Sequence, residues 1–356
     1  MNNIQKCVEI INELNADALL LSDEANMHYL CSFSPSEGLV LITKQGQGYH
    51  IVDSRYTETA QNHSNKTGLK VIEIEKSFFE ELKKLCTDLS IKKLVFENET
   101  ISYKSYEKLQ SEFAFELIKL DDRLMRVRNR KTAKELELLK KANAIAEKSF
   151  LELLNFVEEG KTEKELAAQF EYIMAKNGSH GISFDTILLS GARTSMPHGV
   201  PSDNKLKKGD FVLFDFGATY EGYHSDMTRT VALGFATDEM KEMYNLVLKA
   251  QEAGIKALKP DMKCADVYKA AYDVLDKKNM AKYFRHGLGH GVGLEIHEGF
   301  NASPRSEDTY EIGNVTSVEP GIYLPDKFGI RIEDVCIVTA DGNENISTVN
   351  KELVIL

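Results

Sequence analysis

Between Asp210 and Thr230 the chain reads DFVLFDFGATYEGYHSDMTRT, and no other stretch limits the possible folds so tightly. Apolar and β-branched residues run up to Tyr220, Glu221-Gly222 supplies a two-residue turn, and a second alternating run leaves through Thr228, Thr230 and Leu233. A turn of that length sets the register. Tyr220 should face Tyr223, Asp226 should fall opposite Gly217, and Asp215 becomes the diagonal neighbour of Asp226 on the same face. Aspartates on strands usually point to solvent. The run FVLFDF, however, puts Asp215 inside a strand buried on both faces, where a carboxylate is costly unless something pairs with it. Two ionised carboxylates on one such face repel, so either one is protonated or a cation lies between them.

Asp215-Phe216-Gly217 also matches the metal-binding tripeptide of protein kinases, but the chain has no kinase-type glycine-rich loop and no His-Arg-Asp catalytic loop. At 356 residues, 42% of them hydrophobic, the chain can bury more than one core and two domains are expected. The balance of 55 acidic against 44 basic residues, a net charge of −11, argues against nucleic acid or an anionic membrane as the main partner. Five cysteines, odd in number and widely spaced with no Cys-x-x-Cys, read as reduced and packed. No run approaches the ~20 apolar residues of a membrane span, and the opening MNNIQKCVEIINEL has helical periodicity without a secretory apolar core, so a cytoplasmic location is expected.

Up to about Leu120 short helices and strands alternate: helices over 4–14, 77–89 and 102–113, with strands near 18–21, 39–43, 49–52, 71–74 and 94–96. This is a compact α/β domain expected over residues 1–122, and Arg55 within it reads as one half of a turn ion pair. Arg123 to Lys131, with five basic residues in nine, reads as a junction whose charges meet acidic neighbours. The second domain, 123–356, begins with two capping boxes, Thr132 with Glu135 and Thr162 with Glu165, each opening a helix. Strands follow. The order then recurs, with helices over about 238–258 and 265–279 and more strands after them, which predicts a pseudo-twofold α+β fold with a cleft between two sets of strands.

The recurrence brings its own chemistry. RHGLGHGVGLEIHEG, Arg285 to Gly299, holds three of the nine histidines within twelve residues, and its glycines favour extended, closely packed backbone over a helix. Further on, SVEPGIYL carries Glu319 and GIRIEDVCIV carries Arg331 and Glu333, which share a strand face and read most simply as an ion pair. Asp215, Asp226, a histidine of the cluster, Glu319 and Glu333 make an oxygen-rich set with one nitrogen. Four carboxylates balance two divalent cations, and paired metals about 3.5–4 Å apart activate water for attack on a carbonyl or phosphoryl group.

MPHG, the DFG hairpin with SDMTRT, HGLGHGVG, SVEPGIY and GIRIED stand in the order of the pita-bread metallopeptidases, which the chain resembles from about Val127 onward. The part before them is similar to the creatinase-type α/β domain that precedes the catalytic domain in aminopeptidase P and prolidase. The resemblance implies that Asp215 chelates one ion, that Asp226 and Glu333 bridge both, and that His290 and Glu319 hold the other. It implies that His198 and His297 contact substrate and that Glu319 accepts the water proton; Arg331 is a further candidate catalytic residue. The expected metals are two per protomer, manganese first, with cobalt or zinc as alternatives. The expected reaction is metal-activated water attack on the bond between an N-terminal residue and proline. Short peptides with proline second are the expected substrates and a homodimer the expected assembly. A pita-bread domain acting only as a binding module is the alternative. Arg193 and Arg305 are candidates for holding a dipeptide's terminal carboxylate.

Overall fold

A computed structural model describes residues 2–33 and 35–356. The chain divides into two compact units, one ending at Arg128 and the other running from Asn129 to Leu356. The division falls after residue 128 and not after 122, because the basic run forms a helix, Arg123–Asn129, that buries Leu124 and Arg128. Arg128 donates to Asn26 Oδ1 at 2.8 Å and Arg123 lies 3.7 Å from Glu13.

The first unit is a six-stranded mixed sheet in the order 70–73, 48–52, 39–43, 18–21, 93–96, 116–119. Its core gathers Leu20, Leu41, Ile51, Leu82, Leu94 and Leu109. The strands Ala18–Leu21, Leu39–Thr43 and Gly48–Val52 are buried along their whole length, which is why they read as uninterrupted apolar runs. Arg55 pairs with Asp53 at 2.6 Å, the turn ion pair expected of it.

In the second unit the capping boxes are both formed. Thr132 opens the helix Ala133–Leu153 and Thr162 opens Glu163–Lys176, each with its third-position glutamate reaching back to the cap. Behind them lies a three-stranded antiparallel sheet of Ile187–Ser190, Phe211–Phe216 and Met227–Ala232. Phe150, Phe170, Phe214 and Phe216 fill the space between helices and sheet. The arrangement recurs with the helices Asp238–Ala257 and Cys264–Asp276, then a five-stranded sheet in the order 298–302, 289–291, 315–318, 334–339, 342–345. This half has its own core around Tyr244, Val247, Val267, Leu288, Ile322 and Ile330.

The two halves are stitched where their strands meet. Glu333 N donates to Thr228 O at 3.1 Å and Thr230 Oγ1 to Arg331 O at 3.0 Å. The creatinase-like α/β domain and the pseudo-twofold pita-bread domain expected of the chain are thus both present. All five cysteines are buried and free, and among the described residues no helix is long and apolar enough to cross a membrane.

Candidate active site

The hairpin adopts the register its turn dictates. Tyr220 pairs with Tyr223, Thr219 with His224, Asp215 with Thr228 and Phe216 with Met227. Glu221 and Gly222 both have positive φ, 48° and 81°, the backbone of a tight hairpin turn. A β-carbon at Gly217 would collide with the carbonyl oxygen of Ser225, so the strands can close only over glycine here. Asp215 and Asp226 therefore stand side by side, buried at 9% and 4% exposure.

The other half brings its ligand types to the same place through close backbone contact. Gly289 and Gly291 sit in a strand where a β-carbon would run into Ser317 O or Glu298 O. That packing carries His290 to within 3.4 Å of Asp226 and 3.3 Å of Glu319. Ligand atoms of Asp226, His290 and Glu333 all lie within 4.8 Å of one another. His297 stacks edge-on against His290 with ring centroids 4.1 Å apart. Asp215, Asp226, His290, Glu319, Glu333, His198, His297 and Arg331 all line one cleft of about 890 Å³.

Electrostatics separates the members of the cluster. Burial, followed by the neighbouring Asp215, pushes the Asp226 carboxyl well above the usual range. Burial does the same to Glu333, reinforced by Asp226 and Glu319. Asp215 is also raised by burial, with Arg331 pulling the other way. Burial opposes ionisation of Glu319 too, but its hydrogen bond with His290 prevails and takes the carboxyl down to about 2. His290 mirrors this: against the effect of burial, Glu319 and then Asp226 lift it to about 9. Burial and the neighbouring His290 lower His297.

Two buried carboxylate oxygens, Asp215 Oδ1 and Glu333 Oε1, have no hydrogen-bond partner among the described residues. Native interiors rarely leave such atoms orphaned. A divalent cation bound by hard oxygen donors and one imidazole would satisfy both, and would offset the burial and the mutual repulsion that raise Asp226 and Glu333. The donor set fits metal.

Arg331 differs from the sequence expectation. It does not pair with Glu333; its Nη2 donates to Asp215 Oδ2 at 2.5 Å, its Nη1 to Tyr323 Oη at 2.7 Å and its Nε to Thr228 Oγ1 at 3.0 Å. The strand Phe328–Arg331 ends before Glu333, so strict alternation does not carry both side chains onto one paired face. Thr228 Oγ1 in turn donates to Glu333 Oε2 at 2.7 Å, linking Arg331 to Glu333 through a hydroxyl. His286, four residues before His290, meets Tyr323 Oη at 3.0 Å. Of the cations considered for a terminal carboxylate, Arg193 is engaged by Glu163 and the Val200 carbonyl, and neither it nor Arg305 lines the cleft. Lys164 does. Thr228 and Tyr323 were missed in the sequence, where nothing local marks a threonine or tyrosine whose partners lie far along the chain.

Comparison with known proteins places this geometry in context. The profile of metallopeptidase family M24 matches residues 137–340, and that of the creatinase/prolidase N-terminal domain matches residues 3–130. A Xaa-Pro dipeptidase of Pyrococcus horikoshii is 35% identical over 354 residues, covering 99% of this chain and 98% of its own. Among solved structures, a Xaa-Pro dipeptidase from Bacillus anthracis superposes with a TM-score of 0.95 at 38% identity, over 99% of each chain. An X-Pro aminopeptidase from Thermotoga maritima does so with a TM-score of 0.94 at 37% identity, over the full length of both.

Proposed function

The chain belongs to metallopeptidase family M24, and from that premise we propose that it is an exopeptidase hydrolysing the bond between an N-terminal residue and proline, with two divalent cations held by Asp215, Asp226, His290, Glu319 and Glu333. The observation that carries the reading is the convergence of these five side chains on one cleft with two carboxylate oxygens orphaned. It is a peptidase, and the alternative of an inactive binding module is set aside because relatives that match along the whole chain are peptidases and no ligand position is lost. Proline in second position is favoured by the names of those relatives, which divide between dipeptidase and aminopeptidase.

Bound divalent cations would supply Lewis acidity, making a water nucleophilic near neutral pH and withdrawing electron density from the scissile carbonyl. The chain's own groups do the rest. Glu319 takes a proton from the attacking water and returns it to the prolyl nitrogen as the C–N bond breaks, so that the leaving group departs as a neutral secondary amine. His198 and His297, both exposed to the cleft, donate hydrogen bonds to substrate oxygens where negative charge develops. Arg331 orients Asp215. Proline makes a tertiary amide with no N–H, which disables peptidases that grip that N–H but leaves this arrangement unaffected. Manganese as the metal and a homodimer complete the reading and rest on the family resemblance, and a cytoplasmic location is carried over from the expectation set by the sequence.

The test is release of the first residue from Ala-Pro, Ala-Pro-Ala, Ala-Ala-Ala and Met-Ala-Ser by protein loaded with Mn²⁺. The two proline peptides should be cleaved fastest and N-acetyl-Ala-Pro hardly at all. Faster cleavage of Met-Ala-Ser than of both proline peptides would refute proline specificity, and cleavage of none would refute the activity.

A further inference from the structure

Glu163 opens the helix Glu163–Lys176 directly after its cap, and its side chain is fully buried at 0% exposure. A carboxylate at a helix N-terminus is favoured by the free amides and the helix dipole, but this one is not spent on its own helix. Its Oε1 accepts from Ser190 N at 2.9 Å, Arg193 Nε at 3.1 Å and Asn204 Nδ2 at 3.3 Å. Its Oε2 accepts from Ser202 N at 2.9 Å, Ser202 Oγ at 2.7 Å and Arg193 Nε at 3.0 Å. The main chain repeats the pattern, with Glu163 N donating to Asn204 O at 3.1 Å and Lys164 N to Ser202 O at 3.2 Å.

The partners fall on both sides of one segment: Ser190 and Arg193 before it, Ser202 and Asn204 after it. Between them lie Pro197, His198, Gly199, Val200 and Pro201, all of which line the cleft. Arg193 braces the segment internally by donating from Nη2 to Val200 O at 2.7 Å. His198 itself is exposed, and no hydrogen bond to a described residue holds its ring. Its place in the cleft is therefore set by the path of the backbone, whose two ends are gathered by one buried carboxylate, with Asn204 Nδ2 adding a direct bond to Ser190 Oγ at 2.9 Å.

We infer that Glu163 is a positioning residue for His198, tying the two ends of the segment 190–204 so that the imidazole stands where it meets substrate. The inference rests on the role given to His198 above. A carboxylate accepting at least five hydrogen bonds across a loop fixes it more tightly than its neutral amide, whose nitrogen would face donors. Displacing a catalytic group by about 1 Å can cost on the order of a hundredfold in rate.

The experiment is a double-mutant cycle on the Mn²⁺-loaded enzyme, with Glu163→Gln and His198→Ala, measuring kcat, KM and metal content on Ala-Pro, alongside hydrogen exchange over residues 191–204. E163Q should lower kcat by roughly tenfold to a hundredfold with unchanged metal content, exchange faster over 191–204, and cost less than about twofold when His198 is already alanine. Equal losses in both backgrounds would overturn the inference, since a general structural defect does not depend on His198. Should E163Q fail to fold, Ser202→Ala removes one of the donors while keeping the charge, and the same loss of effect in the H198A background is required of it. Should the wild type cleave no peptide, the functional reading fails on its own, and exchange over 191–204 still decides the positional claim: unchanged exchange in E163Q would refute it.

Discussion

Arg331 donates to Asp215 Oδ2 at 2.5 Å, while Asp215 Oδ1 is left with no partner among the described residues. One oxygen of the acid is thus fixed by a guanidinium that is itself held by Tyr323 and Thr228, and the other is bare inside the cleft. A carboxylate presented in this half-satisfied way is oriented for a ligand, because rotation that would satisfy the second oxygen would break the first contact.

Removing the guanidinium should expose that dependence. Arg331→Met leaves Asp215 buried without its counter-charge and should lower the stability of metal-free protein by about 3–5 kcal/mol, the usual cost of breaking one side of a buried pair. Added Mn²⁺ should then raise Tm more in the variant than in the wild type, because the cation replaces a lost positive charge. Thermal melts with and without metal check this; an equal rise in both would contradict it.

Thr228 accepts from Arg331 and donates to Glu333 at 2.7 Å. Thr228→Val keeps the shape and removes the hydroxyl, so Glu333 loses the partner that fixes its orientation. Metal affinity should fall about tenfold to a hundredfold, as for loss of other outer partners of metal ligands. Isothermal titration with Mn²⁺ measures it, and unchanged affinity would show that Glu333 needs no such support.

His198→Ala and His297→Ala should keep full metal content while kcat falls about a hundredfold or more, as expected for hydrogen bonds that strengthen in the transition state. Loss of metal from His297→Ala would assign it, and not His290 alone, to the cation.

The first unit makes a separate prediction about pH. His50 is 2% exposed in the central strands, its Nε2 has no partner among the described residues, and burial, with His63 nearby, pulls it down to about 4. The unfolded chain binds a proton near pH 6.5 that the folded unit refuses, so stability from this group is present above pH ~6.5 and lost as pH falls toward 4. The full shift amounts to about 3 kcal/mol. Hydrogen exchange of the strand Gly48–Val52 between pH 7 and 4.5 should therefore fall in protection less steeply in His50→Phe. An identical slope would remove His50 as the cause.

The parts of the site that were legible in the sequence are those set by local rules. A two-residue turn fixed the pairing of Tyr220 with Tyr223, and with it the adjacency of Asp215 and Asp226; the capping boxes at Thr132 and Thr162 marked helix starts within a residue. Elements with weak periodicity were not legible. The helix Thr57–Thr67 buries only Ala60, the helix Glu24–Cys31 has little amphipathic contrast, and the strand Glu116–Lys119 is exposed at both ends. Long-range polar choices were invisible as well. Arg331 had Glu333 two positions away, yet it pairs with an aspartate 116 residues distant because the two halves of the fold meet there. The buried partners of Glu163 are likewise a property of the folded loop, and its sequence context showed only a helix start.

The most direct test of the account is an anomalous difference map from crystals of the protein grown with Mn²⁺. Two peaks should appear in the cleft of each protomer, both touching Asp226 and Glu333, one also touching Asp215 and the other His290 and Glu319, and Asp226→Ala or Glu333→Ala should abolish the pair. A single peak, or two peaks that survive either substitution, would contradict the dinuclear site on which the proposed hydrolysis depends.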